Sequence, residues 1–362
     1  MKKLLAAVLI IVFSAVVFFG CSGNTGKEEN NGSRNQDQER LVYLTQTPPP
    51  NMLEQLQAGE IDGFIAWEPF NSTAVNNGDG KYLFTSREVW PEHPCCVLAV
   101  SDSFKDEQTV EAVTWAHIRA IRFINEAKNR DKVLEYASAF TGKDEEVVKK
   151  SLENITYVEY PAKDKFMEYY SSLVEGKLLK NTVETIGFED SENFFASFLR
   201  EDIYKKVSDE LDKDAGWKPA GIKGNASLSL GYLAADLHQL ALFVAEKEGY
   251  YEQVGLITGQ NLETKMFSNG VAVMEAFKAA DIDIAYVGGA PATLKRINDN
   301  IPIKVVAGAN NEGSGLVVRS DGEIKTLADL EGRTIAVPGV GTVQYTLLDK
   351  ALREQGLRPV IK

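Results

Sequence analysis

The sequence predicts an α/β fold built on parallel, doubly wound sheets. Within residues 227–344, three apolar runs of about four to six residues each lead into small residues and then into an amphipathic helix. The three junctions read S-L-S-L-G-Y-L-A-A-D-L-H, D-I-A-Y-V-G-G-A-P-A-T and A-V-P-G-V-G-T-V-Q-Y. Short buried strands that alternate with helices are typical of a parallel sheet.

The composition fits a globular protein and argues against one class of partner. The 362 residues are 44% hydrophobic, enough for two cores. Asp and Glu number 52 against 39 Lys and Arg, so the net charge is -13. A surface this acidic repels phosphate backbones, so we expect no nucleic-acid partner.

The first 40 residues predict an exported and tethered protein. Lys2 and Lys3 precede an apolar run that ends F-F-G-C, which resembles a lipoprotein signal over residues 1–20 with the lipid on Cys21. Uncleaved anchoring by the apolar run is the alternative. Residues 21–40 lack large apolar side chains and predict a disordered tether.

The next hundred residues predict strands, followed by a helical block. The predicted strands cover residues 41–44, 62–67, 82–85 and 96–100, with a short helix after Pro48 to Pro50. Residues 107–214 read as helices, one of them beginning at a capping box on Thr141. We expect this block to be scaffold, with His117 partly packed or at the surface.

Alternating strands and helices return after a Gly- and Pro-containing joint at residues 212–225. The predicted strands are 228–232, 262–267, 282–287, 303–307, 316–318 and 334–337. The predicted helices are 237–248, 270–279, one from Pro291, and 343–355. A further strand should follow Gly356.

Several motifs together resemble the nitrate/taurine/alkanesulfonate-type solute-binding proteins of ABC importers. They are Y-V-G-G-A-P-A-T, A-G-A-N-N-E-G-S-G, D-L-E-G-R-T-I-A-V-P-G-V-G-T, A-G-E-I-D-G-F-I-A-W-E-P and H-P-C-C-V-L-A-V-S. The resemblance covers residues 41–362. It implies a type II periplasmic-binding-protein fold, in which two doubly wound lobes are joined by a two-segment hinge.

The order of the segments differs from the order in that family. There, the part that resembles residues 227–360 comes first and the part that resembles residues 41–217 follows. We therefore expect a circular permutant, with lobe I at residues 93–315 and lobe II divided between residues 41–92 and 316–362. A gene-assembly artefact or a truncated tandem is the alternative.

Ligands of doubly wound sheets bind beyond the carboxyl ends of the strands, which predicts the site residues. One wall would carry Tyr232, Asp236, His238, Gly288, Gly289, Ala290, Asn310 and Gly313. The other would carry Gly339, Gly341, Thr342, Val343, Thr45, Trp67 and Glu68, with His93 where the chain returns between the lobes. Alternatively, the glycines only form turns and Trp67 packs at the hinge.

We expect different roles for two acidic residues, Asp236 and Glu68. Asp236 fits the N-cap of the helix that follows it, which is the simpler role. Glu68 lies at a strand end before a proline. If its carboxylate faces the cleft, it favours a solute that carries an amine as well as an anion, as taurine does.

Cys95 and Cys96 are adjacent, and a disulfide between them would be strained because consecutive Cα atoms lie about 3.8 Å apart. Near His93 these two cysteines could form part of a soft-metal site, but the sequence shows no third and fourth ligand, so we predict no metal. A related branch that makes the thiamine pyrimidine precursor has a longer cysteine run here, which this chain lacks.

The resemblance implies an extracytoplasmic lipoprotein that delivers a small anion, such as a sulfonate, taurine, nitrate or bicarbonate, to an ABC permease and ATPase. We expect a monomer without cofactor or catalytic residues, on the outer face of the cytoplasmic membrane. Helix starts at Gly341 to Val343 and at Gly289 and Ala290 would hold the anion through backbone N–H groups, with the Thr342 hydroxyl adding one bond. The alternatives are a thiamine-pyrimidine-precursor binding protein, a pyrimidine-synthase-like enzyme, or a ligand sensor without transport.

Overall fold

The computed structural model describes residues 39–222 and 227–362, so the expected signal and most of the tether lie outside the described residues. The strands are β1 Leu41–Gln46, β2 Gly63–Trp67, β3 Gly80–Thr85, β4 Pro94–Ser101, β5 Ile155–Tyr157, β6 Leu228–Leu233, β7 Leu262–Phe267, β8 Ile284–Gly288, β9 Ile303–Glu312, β10 Ser314–Arg319, β11 Thr334–Val337 and β12 Arg358–Ile361.

The helices fill the connections between these strands. They are α1 Pro49–Gln57, α2 Phe70–Asn76, α3 Ser86–Val89, α4 Glu107–Asn125, α5 Arg130–Thr141, α6 Glu145–Glu153, α7 Lys163–Glu175, α8 Ser191–Phe198, α9 Glu201–Lys213, α10 Leu240–Lys247, α11 Tyr250–Gln253, α12 Gly270–Lys278, α13 Gly289–Asn298 and α14 Val343–Glu354. Short 3₁₀ turns lie at Ala127–Asn129, Glu184–Ile186, Leu237–Gln239 and Leu327–Leu330.

The strands form two six-stranded sheets, which confirms the predicted two-lobed α/β fold. Lobe I contains the sheet β5-β9-β4-β8-β6-β7, and lobe II contains the sheet β12-β1-β11-β2-β10-β3. The core of both sheets has one arrangement, since β7-β6-β8-β4-β9 corresponds to β1-β11-β2-β10-β3. The fourth strand of each five-strand series, β4 or β10, is antiparallel to both of its neighbours.

These two antiparallel strands follow directly on the two crossings between the lobes. The chain leaves β3 and α3 in lobe II and enters lobe I as β4, and it leaves β9 in lobe I and enters lobe II as β10. Each crossing therefore inserts a strand into the middle of the sheet that it enters. This connection holds the two lobes close together at the ends of β4 and β10.

The central strands are buried on both faces because helices cover both sides of each sheet. Every residue of β2, β4 and β8 is buried, which explains why their sequences read as continuous apolar runs. Among the described residues, no helix combines the length and the apolar character that crossing a bilayer requires.

The strand after Gly356 is present as β12, at the outer edge of the lobe II sheet. It runs parallel to β1, with Leu41 paired to Arg358 and Leu44 to Ile361. Backbone bonds from Arg358 N to Arg40 O and from Lys362 N to Leu44 O flank the pair, at 2.8 and 2.9 Å. The first and last strands of the described chain thus lie side by side.

Two expectations for the helical block are wrong. Thr141 ends α5 rather than starting a helix, because Gly142 adopts the left-handed conformation of a C-cap and α6 begins at Glu145. His117 is completely buried: its Nδ1 lies 2.8 Å from the Tyr286 hydroxyl, and its Nε2 bonds the Gly308 carbonyl. The helical periodicity placed His117 on α4 but could not show that strands β8 and β9 cover that face.

We predict that His117 makes the protein less stable at low pH. Burial lowers the pKa of His117 from 6.5 to about 4, so the unfolded chain takes up a proton first as the pH falls through that window. The contribution of His117 to the free energy of unfolding should fall by about 2 kcal/mol from pH 7 to pH 5. Urea unfolding of the parent and of His117→Gln should show a smaller pH dependence in the variant; equal slopes would contradict this.

Candidate functional site

The starts of two helices meet where the lobes face each other. Helix α13 begins at Gly289 in lobe I, and α14 begins at Val343 in lobe II. A Cβ placed on Gly288 would lie 2.8 Å from Val343 Cγ2, and a Cβ on Gly341 would lie 2.3 Å from Leu294 Cδ2. The two helix starts are therefore in van der Waals contact, and only glycine fits at these two positions.

The turn that leads into α14 is held by internal hydrogen bonds. The Thr342 hydroxyl donates to Gly339 O at 2.7 Å and accepts from Tyr345 N at 3.3 Å, so Thr342 is the N-cap of this helix. Gly341 has a φ of 84°, which favours glycine. The expected hydroxyl bond from Thr342 to a solute would have to replace contacts that the protein already makes.

Trp67 joins the lobes through its ring. It ends β2 in lobe II, yet it belongs to an apolar cluster made mostly of lobe I side chains, including Phe166 and Leu233. The ring is 3% exposed and lies edge-on to Phe70 at 6.0 Å. Its Nε1 is buried without a hydrogen-bond partner among the described residues. We call the contact surface between the lobes, at Gly288, Gly341 and Trp67, the seam. Trp67 thus places a hydrogen-bond donor without a partner among the described residues inside the seam.

Glu68 is fully engaged within the protein. One carboxylate oxygen accepts from the Tyr82 hydroxyl at 2.6 Å and from Asn154 Nδ2 at 2.8 Å, and the other accepts from Ser72 N at 3.0 Å. Its backbone carbonyl accepts from Leu237 N of lobe I at 3.1 Å. Glu68 therefore connects the lobes, and its carboxylate is not free to select an amine on a solute, as the sequence had suggested.

A cluster of thiol, imidazole and carboxylate groups lies beside this seam in lobe I. The Cys95 Sγ is 3.3 Å from His238 Nδ1, and the same nitrogen is 3.3 Å from Asp236 Oδ1. His238 Nε2 lies 3.0 Å from the carbonyl of Gly313 and must donate, because a carbonyl only accepts. Cys96 Sγ contacts Asp236 Oδ2 at 3.9 Å. All four side chains are buried.

A β-bulge explains how two adjacent cysteines reach one cluster. Successive side chains of a strand normally point to opposite faces. In β4, however, Pro94 pairs with Asn311 and Cys96 with Asn310, so Cys95 has no partner of its own and the register shifts. A bulge of this kind turns a side chain to a new direction. The Asn310 amide secures the bulge by accepting from Cys96 N at 3.1 Å.

The charges in the cluster shift several pKa values. Burial raises the pKa of Asp236 to about 7. Burial alone would lower the pKa of His238, but the charges of Cys95 and Asp236 raise it to about 9. Burial also opposes ionisation of Cys95, while the hydrogen bond from Cys96 and the positive charge of His238 lower its pKa well below the usual value. A Cys95 thiolate paired with a protonated His238 is consistent with these directions.

The structure brings most of the predicted site residues to the seam but not all of them. Tyr232 packs against Phe140, with the ring centroids 6.5 Å apart and the rings tilted by 35°. Thr45 lies within β1, half-buried, and Gln46 beside it accepts from Val340 N at 3.3 Å. Asp236 is the N-cap of the 3₁₀ turn, accepting from His238 N at 3.0 Å.

Three residues near the seam had no sequence signal. Tyr157, in the helical block, donates to Leu237 O at 2.6 Å, and Gln239 donates to Asp236 Oδ2 at 3.2 Å. Asn269 of lobe I donates to Pro338 O of lobe II at 3.2 Å. The partners of Tyr157 and Asn269 are distant in sequence, so only the folded chain brings them together, whereas Gln239 lies three residues after Asp236. The helical block is therefore more than a scaffold, because Tyr157 and Asn154 both reach the seam.

Two family models and a set of curated relatives match this chain. Residues 32–138 match the model described as NMT1-like family, and residues 238–360 match the model described as NMT1/THI5 like. The nitrate import ATP-binding protein NrtC of Synechocystis sp. (strain ATCC 27184 / PCC 6803 / Kazusa) is 35% identical over 29% of this chain and 16% of its own length.

Two binding proteins are also similar. The nitrate/nitrite binding protein NrtA of Nostoc sp. (strain PCC 7120 / SAG 25.82 / UTEX 2576) is 21% identical over 52% of this chain and 44% of its own length. The taurine-binding periplasmic protein of Escherichia coli (strain K12) is 28% identical over 28% of this chain and 31% of its own length. The chain thus spans less than half the length of each of these relatives.

The described chain has two α/β lobes, each entered by an inserted antiparallel strand. Over residues 32–138 and 238–360 it is similar to the NMT1-like and NMT1/THI5-like families, and it is similar in sequence to a nitrate/nitrite-binding and a taurine-binding protein.

Proposed function

We propose that this protein closes its two lobes on a small anionic solute and presents it to the permease and ATPase of an ABC importer. The nitrate, nitrite and taurine named for its relatives indicate the class of solute. The observation that carries the proposal is the meeting of two helix starts across the seam, at Gly289 and Val343. Helix N-termini direct unpaired N–H groups and partial positive charge toward one point.

The seam suits an anion that is held by main-chain donors. The residues at the two helix starts are Gly, Ala, Pro, Thr and Val, and none is Lys or Arg. Trp67 adds a buried N–H that lacks a protein acceptor among the described residues. Small side chains allow backbone and solute to approach closely, and a sulfonate or nitrate offers several acceptor oxygens.

The described conformation is closed, so the lobes must separate to admit a solute. Gly288 touches Val343, and Gly341 touches Leu294, which leaves no gap at those positions. Hinge closure about two crossing segments is a common way for a two-lobed protein to enclose a ligand. The solute would then replace direct contacts between the lobes with contacts of its own.

We predict that Gly341→Val weakens solute binding. The added side chain would collide with Leu294 and prevent full closure, and overpacking of about 1–3 kcal/mol corresponds to about 5- to 150-fold in affinity. Calorimetry would follow a thermal-shift screen of taurine, alkanesulfonates, nitrate, bicarbonate and pyrimidines, in which a solute at 100 times its Kd adds about 2.7 kcal/mol.

Gly332→Val is the matched control for that variant. Gly332 also lies in lobe II with a positive φ, but no atom within 4 Å would meet its Cβ. It should therefore share the backbone strain and bind the solute like the parent. If Gly341→Val also binds like the parent, or if no anion in the screen stabilises the protein, this proposal fails.

A second candidate is a binding protein for a thiamine pyrimidine precursor, which the THI5-like description of the match over residues 238–360 favours. The screen separates the two candidates, because stabilisation by a pyrimidine and not by the anions would support this one. A sensor without transport would bind the same solutes. Loss of solute uptake on deleting the gene in its host would exclude the sensor.

We propose that the protein is an extracytoplasmic lipoprotein, tethered through Cys21 and residues 21–40. The support is the charged, apolar and Gly-Cys pattern of the first 21 residues. Cys21→Ser should leave the protein unprocessed or release it from membranes. Unchanged gel migration together with unchanged membrane retention would contradict lipidation.

We also propose that the chain order is a circular permutation. The support is that both lobes use one strand order and that β12 lies beside β1. A rearranged chain, residues 227–362 followed by residues 41–219, should fold and show the same solute preference in the screen. If the rearranged chain folds and prefers a different solute, the permutation is wrong.

A further inference from the structure

We propose that Cys95, Cys96, His238 and His93 bind one Zn(II) ion at the hinge between the lobes. The Sγ atoms of both cysteines and a ring nitrogen of His238 all lie within 4.8 Å of one another; His93 lies outside this group and would supply the fourth ligand. The 3.3 Å between Cys95 Sγ and His238 Nδ1 is close to the separation of about 3.5 Å that two such ligands have on one tetrahedral zinc. The sequence concealed this set, because residues 95 and 238 are far apart in the chain.

Both imidazoles are already oriented as metal ligands. A zinc-bound histidine usually donates its second ring N–H to a carbonyl or carboxylate, which fixes the tautomer and frees the other nitrogen. His238 Nε2 donates to Gly313 O at 3.0 Å, and this leaves Nδ1 directed at Cys95. His93 Nδ1 donates to Trp90 O at 2.8 Å, and this leaves Nε2 as the free nitrogen.

The free nitrogen of His93 is the independent sign of a missing ligand. His93 is completely buried, and its Nε2 has no hydrogen-bond partner among the described residues. Because a buried polar atom normally has a partner, an orphan nitrogen two residues before Cys95 indicates that something binds there. Two thiolates and two imidazoles in a tetrahedron are a ligand set that Zn(II) favours.

The charges of such a site balance. Starting from a Cys95 thiolate, a protonated His238 and a Cys96 thiol, Zn(II) would displace the Nδ1 proton of His238 and the Sγ proton of Cys96, so that two Zn–S bonds and a bond from zinc to His238 Nδ1 form and two protons leave to solvent. The two thiolates then neutralise the two charges of the ion, and both histidines are neutral. Asp236 keeps its bonds from His238 N and Gln239. A neutral complex is the form that a buried site tolerates.

The position of the site gives the ion a role in the motion of the lobes. His93, Cys95 and Cys96 follow one crossing between the lobes, and Gly313, which His238 bonds, lies in the other. An ion bound by these residues would cross-link the two hinge segments. The proposal concerns the hinge and does not depend on the solute that binds in the seam.

The test is zinc binding by the purified chain, reduced and stripped of metal, with Cys21→Ser removing the third cysteine of the sequence. Titration against a chromophoric chelator should give one Zn(II) per chain, with two protons released. Co(II) as a probe should produce thiolate charge-transfer and tetrahedral absorption bands. Zn(II) bound only at the level of a trace contaminant, far below one ion per chain, would overturn the site. Octahedral Co(II) bands would overturn it too.

Variants assign the ligands. Cys96→Ser and His238→Gln should each weaken Zn(II) binding by more than the roughly 10- to 100-fold that loss of a supporting contact costs. His117→Gln is the matched control, because His117 is equally buried but bonds Tyr286 and Gly308 instead. It should bind Zn(II) like the parent. Parent-like affinity in both ligand variants would overturn the assignment.

One measurement needs no variant and covers the case in which a variant fails to fold. Zn(II) should protect Cys95 and Cys96 of the parent from alkylation, read by mass spectrometry of their shared peptide. Equal alkylation rates with and without Zn(II) would contradict the site. A positive zinc result with a negative solute screen would leave this proposal intact and remove only the proposed transport function.

Discussion

The closed arrangement of this protein depends on the backbone of Glu68, which hydrogen bonds in two directions across the seam. Its N–H donates to Gly313 O, and its carbonyl accepts from Leu237 N, both at 3.1 Å. Gly313 lies in one crossing, and Leu237 begins the turn that carries His238. The end of β2, the crossing and the candidate site are therefore positioned by one pair of main-chain bonds, which side-chain changes cannot easily remove.

The carboxylate of Glu68 extends this link to the helical block. Its bonds to Tyr82 and Asn154 join lobe II to the end of α6, while Arg87 of lobe II bonds Glu312, which lies beside Gly313 in the same crossing. Buried hydrogen bonds to a charged group each contribute about 1.5–3 kcal/mol. Opening the lobes would break such bonds, so a solute must supply comparable interactions to favour closure.

The bulge at Cys95 is the second constraint, because it decides what chemistry the hinge can carry. A regular strand would have placed Cys95 and Cys96 on opposite faces, with one thiol far from His238. The irregular pairing with Asn310 and Asn311 turns both thiols toward the same histidine. Gly313 is needed for a related reason, since a Cβ there would lie 2.1 Å from His238 Nε2.

The sequence by itself determined the α/β class and the strands, because apolar runs such as those of β2, β8 and β11 carry a local periodicity that burial requires. The two lobes were implied by the resemblance to the solute-binding proteins. It also located the junctions at Gly289 and Val343, since helix starts have local signals. Local pattern failed at Thr141, where a left-handed Gly142 ends the helix.

Only the tertiary structure decided which of these residues act together. Glu68 turned out to bond Tyr82 and Asn154, Tyr232 to pack on Phe140, and His238 to lie close to two cysteines. Such contacts join residues that are up to 143 positions apart, and no periodicity along the sequence encodes them. They arise because the two crossings bring the end of β3, the start of β4, the end of β9 and the start of β10 to one place. Burial there leaves each polar group only the partners that the fold provides.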